Sequence, residues 1–85
     1  MSKNTFALTQ LSIGNSGRVD SLLAQGLTRR RLLDLGLVPG TEVEAIRRSP
    51  AGDPTAFLIR GTIIALREEV SRQVLIRADS DERGI

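Results

Sequence analysis

The chain has 85 residues, 40% of them apolar, and a formal charge of +2. That is the composition of one small folded domain with an aliphatic core. It has no Cys, His, Trp or Tyr and only two Phe, which excludes a disulfide scaffold, a thiolate or imidazole metal centre and any triad built on a histidine base. The charge is uneven: residues 78–85 hold Asp79, Asp81 and Glu82 against Arg83, a balance of −2, so the remainder is +4. Eleven of the twelve basic residues are Arg, the side chain suited to planar contact with carboxylates or phosphates.

In chain order, residues 1–7 read as an N-terminal arm. Met1 to Gln10 has one Lys and no apolar run, so it lacks the pattern of a secretory signal. No stretch approaches the roughly 18 apolar residues that span a bilayer. Both features point to the cytoplasm. Gly14-Asn15-Ser16-Gly17 reads as a turn. Gly17 to Ala24 follows as a strand, with Val19 and Leu23 on one face and Leu22 on the other, and Gln25-Gly26 breaks it.

Thr28 is placed to N-cap a short helix over residues 29–35. Gly36 suits the left-handed residue that ends a helix, with Leu37 folding back on Leu32. Val38-Pro39-Gly40-Thr41 fits a type II turn. Thr41 to Arg48 is a strand in which Val43 and Ala45 share a face and Ile46 does not, so a bulge is expected near Ala45-Ile46. Residues 49–54 form a loop and Thr55 to Arg60 a strand, with Phe57 and Ile59 opposite Ala56 and Leu58. Gly61 is a kink, and Thr62 to Ile64 is a short β segment. Ala65 to Arg72 reads as a second helix, from the spacing of Leu66 with Val70 and of Glu68 with Arg72. Gln73 to Arg77 returns to strand, and 78–85 is an acidic flexible tail. The sum is a mainly β fold over residues 8–77: a small barrel of about five strands with two short helices, closed so that no edges are left exposed.

The chemistry is sparse. The carboxylate pairs Glu42/Glu44 and Glu68/Glu69 fit a charged outer strand face and a solvated helix turn better than acid–base catalysis. Gly14-Asn15-Ser16-Gly17 lacks the Lys and the following helix of a phosphate cradle. The chain therefore reads as no enzyme and as holding no cofactor. The positive feature is Arg29-Arg30-Arg31, expected in the first helical turn, where the helix dipole disfavours positive charge. These residues, with Leu32, Leu35 and Leu37, form a candidate contact for an acidic partner surface, an apolar anchor with a charged rim. The alternative is that the arginines solvate one end of the helix while the leucines pack inside.

The order and spacing of Leu11, Gly14, Gly17 and Val19, then Arg31-Leu32-Leu33, Leu35-Gly36-Leu37 and Pro39-Gly40-Thr41, then Pro50, Gly52-Asp53-Pro54, Gly61 and Ile64-Ala65-Leu66-Arg67, resemble the FeoA family of ferrous iron transport proteins. Thr62 and Val70 depart from it: the family often has an aromatic residue and an alanine there. The resemblance spans about Leu8 to Ile76. It implies an SH3-like barrel and a non-enzymatic cytosolic accessory protein. That protein would support or regulate iron uptake by contact with the cytosolic part of a FeoB-type permease, reaching the membrane only through it. The absence of His and Cys argues against iron binding by the chain itself. Nucleic acid is not expected as a partner, since only two Phe are available for stacking. Weak self-association stays open. A small-barrel nucleic-acid binder and a metal-dependent regulatory module are the alternative readings. If the contact is right, Leu32→Asp or loss of the three arginines is expected to weaken partner binding and leave the fold intact.

Overall fold

The computed structural model describes residues 4–78. The first three residues of the expected arm and residues 79–85 of the expected tail lie outside them. Six strands form one antiparallel sheet: β1 (Thr5–Ala7), β2 (Ser16–Leu22), β3 (Glu42–Arg48), β4 (Thr55–Ile59), β5 (Thr62–Leu66) and β6 (Val74–Ala78). Helix α1 (Gly26–Asp34) lies between β2 and β3, and the single-turn α2 (Glu68–Ser71) between β5 and β6. A 3-10 turn, Leu8–Gln10, follows β1.

The spatial order is β1-β6-β2-β3-β4-β5. Leu8, beside the first edge, and Leu66, at the other, belong to one buried cluster, so the sheet must curl around it. The cluster is filled by the inward residues of alternating strands: Val19; Val43 and Ala45; Phe57 and Ile59; Val74 and Ile76. Leu32 and Leu37 enter it from α1 and its exit. The faces expected for Val43/Ala45 and Phe57/Ile59 are those observed. The bulge expected at Ala45-Ile46 is present, since the β3–β4 register shifts between Ala45 and Arg47.

Several expectations are corrected. The strands number six among the described residues, where about five were expected, because Thr5–Ala7, assigned to an arm, pairs with β6 at Arg77, Ile76 and Leu75. Ala78, assigned to the tail, is the last residue of β6. The hydrogen-bonded ladder does not close: β1 and β5 are its two edges, and the 3-10 turn and α2 pack together beside them. The turn before β2 is Ser12 to Asn15, closed by the Asn15 N–H on the Ser12 carbonyl at 2.9 Å, while Ser16 and Gly17 are already strand. Leu23 does not share the face of Val19. The β2–β6 register shifts between Val19 and Ser21, which reverses the alternation, and Leu23 ends up 57% exposed. The second helix is shorter than expected. Leu66 is the buried end of β5, and only Glu68–Ser71 are helical, although Glu68 and Arg72 do make the expected pair at 3.7 Å.

A helix start and stop position the candidate site. No side chain caps α1; it opens at Gly26, two residues before Thr28. Its end is a Schellman motif as expected. The Leu37 N–H donates to the Leu32 carbonyl and the Gly36 N–H to the Leu33 carbonyl, both at 3.0 Å, with Gly36 at φ +106°. The Thr41 N–H then donates to the Val38 carbonyl at 3.0 Å, closing the turn with Gly40 at φ +92° that leads into β3.

Candidate functional site: the exposed face of helix α1

Helix α1 is anchored at one end and bare at the other. Leu32 is its only fully buried residue, while every residue from Gln25 to Arg31 is exposed. Leu33 and Leu35 are half-buried. Leu27 is 84% exposed, the most open of the large apolar side chains among the described residues, and Leu23 precedes it in the chain. Leu27, Arg30 and Arg31 are spaced i, i+3 and i+4, so they lie together on one face. Among the described residues none of Arg29, Arg30 and Arg31 forms an ion pair.

The six residues expected to form the contact therefore divide. Arg29, Arg30 and Arg31 are fully at the surface. Leu35 is half-covered by the core. Leu32 is 1% exposed and Leu37 is 0% exposed, so these two are core residues and present nothing to a partner. The exposed apolar side chain beside the arginines is Leu27, which is not among the six. With the helix starting at Gly26, the 100° step per residue carries Leu27 about 140° away from Leu32. The earlier start also eases the conflict with the helix dipole. Arg29 now closes the first turn instead of opening it, and Arg31 lies in the last turn, where positive charge is favoured.

The two carboxylate pairs are accounted for by the fold. Glu42 lies directly opposite Arg18 on the outer face of the β2–β3 pair, and Glu44 opposite Ser16. Glu68 and Glu69 occupy the first turn of α2, where negative charge is favourable. In a hollow of about 240 Å³ lined by Arg48, Asp53, Glu68 and Ser71, the Asp53 and Ser71 side chains are already engaged. Asp53 Oδ1 accepts the Glu68 N–H at 2.8 Å, and Ser71 Oγ donates to the Arg67 carbonyl at 3.1 Å. Among the described residues no three acidic side chains come together as metal ligands.

A mainly β chain with this topology, and with α1 as its most exposed element, can be placed among known proteins. The family model described as the FeoA domain matches residues 6–78. The chain belongs to the FeoA family. It is similar to the FeoA protein of Chlorobium tepidum, known from a solution structure, with 30% identity over 93% of this chain and 75% of that one and a TM-score of 0.84. A FeoA-like protein of Clostridium acetobutylicum is 27% identical over 100% of this chain and 98% of that one, also with a TM-score of 0.84. The FeoA of Stenotrophomonas maltophilia, solved with zinc and described as an SH3 domain protein, is 31% identical over 84% of this chain and 88% of that one, with a TM-score of 0.75. No curated protein matches the chain at a significant level. The expected family and the expected SH3-like fold are both shown, and with them an association with ferrous iron transport.

Proposed function

We propose that this chain is a non-enzymatic cytoplasmic accessory protein of ferrous iron uptake that acts by contact with the cytosolic part of a FeoB-type permease. The contact is made through the exposed face of α1, with Leu27 as apolar anchor and Arg29, Arg30 and Arg31 as charged rim. The observation that carries this reading is the unbroken exposure of Gln25 to Arg31 around a leucine that the fold does not use. A core of exposed apolar side chain edged by arginine is the usual anatomy of a protein contact, and Arg is over-represented among the residues that dominate binding energy. The acidic surface of the partner is the matching chemistry. The Stenotrophomonas maltophilia relative is described as a candidate ferrous iron transport activating factor, which supports an activating sense for the contact.

The test is capture of this chain by the permease's cytosolic part. Leu27→Asp, and separately the Arg29/Arg30/Arg31→Ala triple change, are expected to weaken binding about tenfold or more, on the scale of interface hot spots. Neither substitution touches the core, so both variants should keep the native fold. Undiminished capture of both would show that this face is not the contact.

A further inference from the structure

Helix α1 outruns the core that anchors it. At about 100° per residue, Leu32, Leu33 and Leu35 span about 160° of the helix circumference and define its inner side. Leu32 is buried and the other two are half-buried. Thr28 and Arg29 lie on that same side one turn earlier. Thr28 is four residues before Leu32, and Arg29 is three before Leu32 and four before Leu33. Both are exposed all the same, and so is Gln25 before them. Arg29 has a stem long enough to carry its charge out to water from a covered position. Thr28 has not. Its exposure on the inner side means that no described residue covers the start of the helix from below.

The outer side carries its own set. Leu27, Arg30, Arg31 and Asp34 fall within about 100° of one another, opposite Leu32, and all four are exposed. The helix is rooted just before it begins. The Leu23 N–H donates to the Gln73 carbonyl at 2.7 Å, extending the β2–β6 ladder, while the Leu23 side chain stays 57% exposed. Among the described residues, the side chains of Gln25, Thr28, Arg29, Arg30 and Arg31 make no hydrogen bond or ion pair. Polar groups thus stand ready on both sides of one projecting helix.

The arginines point to the chemistry of what surrounds it. A guanidinium left without a partner matches a carboxylate, often through two parallel bonds. Arg30 and Arg31 flank Leu27 on the outer side, and Arg29 faces the inner side, about 160° away from Leu27. One flat surface cannot meet all three and would leave Thr28, Arg29 and Gln25 in water. Asp34 ends the outer set, so an acidic wall fits over Leu27 to Arg31 and stops short of it. We propose that α1 is received in a cleft of the permease's cytosolic part, between two walls that each present a carboxylate, one to Arg30 and Arg31 across Leu27 and the other to Arg29 beside Thr28. This rests on the reading of α1 as the contact with that protein and adds the inner side of the helix to it. Insertion of a helix into a groove is a recurring mode of recognition, and a helix bare all round is the shape a groove can enclose.

The chain contains no cysteine, so a single introduced one is a unique label site. Gln25→Cys and Thr28→Cys report on the inner side, Leu27→Cys and Arg30→Cys on the outer, and all four positions are exposed. Thiol alkylation of each variant is followed by the mass of this chain, free and with the permease's cytosolic part. At a partner concentration of about ten times Kd, about nine-tenths of the chain is bound, so enclosure should slow alkylation roughly tenfold at all four sites. In the same way Arg29→Glu should weaken capture as much as Arg30→Glu does, roughly tenfold each. Slowing at Leu27→Cys and Arg30→Cys alone would keep α1 as the contact and overturn the cleft. Slowing on the inner side alone would overturn it too. Should a cysteine variant fail to bind, the charge reversals carry the comparison: a neutral Arg29→Glu beside a weakened Arg30→Glu overturns the cleft. Bound chain with no slowing at any of the four sites would overturn both the cleft and the use of α1.

Discussion

Leu27 and Leu32 sit five residues apart on one helix and have opposite fates. Leu32 fills the core, and its loss to alanine is expected to destabilise the protein by about 2–5 kcal/mol. Leu32→Asp, expected from sequence to spare the fold, would instead bury a charge and unfold the domain. Leu27→Asp should leave the melting temperature within about 4 °C of the parent, since exposed substitutions usually fall within about 0.5 kcal/mol. Thermal melts of the two aspartate variants side by side check the assignment, and a comparable loss in both would contradict it. Gly36 is a second decisive position. A Cβ there would sit 2.6 Å from Arg60 Cδ and on a backbone at φ +106°. Gly36→Ala is therefore expected to lower stability by about 1–2 kcal/mol, or roughly 4–15 °C in a domain of this size. A melting temperature unchanged in Gly36→Ala would mean that the Schellman stop does not hold the helix end.

At the scale of elements, what was legible in the sequence is what local residues decide. The Schellman stop, the type II turn and the bulge in β3 each depend on a few consecutive residues: Leu35-Gly36-Leu37, Pro39-Gly40 and the change of phase between Ala45 and Ile46. What was not legible depends on distant partners. Thr5–Ala7 becomes a strand only because β6, far along the chain, supplies the ladder. The shift in β2 after Val19 has no sequence marker as clear as the one in β3, and it turned Leu23 outward. The start of α1 was misplaced because Thr28 offered a capping hydroxyl that the helix does not use, and Gln25 and Gly26 open it without a side-chain cap. That displacement hid Leu27 and put Leu32 and Leu37 into the candidate contact. The short α2 is tied down from a distance. Asp53 Oδ1 accepts the Glu68 N–H at 2.8 Å, and the Asp53 carboxylate lies 3.9 Å from the Arg67 guanidinium. Asp53→Ala should cost about 1 kcal/mol, the usual value of a capping side chain. The measurement is a denaturant titration, in which the midpoint should fall with an unchanged slope.

At the scale of the whole molecule, the curled sheet does two things. It collects buried residues from β2 to β6, from α1 and from the connections between them into a single core, and it leaves two elements unspent at the surface, the exposed face of α1 and the β5 edge. Membership of the FeoA family and its SH3-like architecture account for the first. No helix among the described residues is long and apolar enough to cross a membrane. Transport enters through the family, and the use of α1 as the element that meets the permease is the claim on which the functional account rests. The most direct measurement is amide exchange of this chain with and without the permease's cytosolic part. The account predicts new protection concentrated between Leu23 and Arg31, strongest around Leu27. Bound chain with no change in that segment, and protection elsewhere, would contradict it.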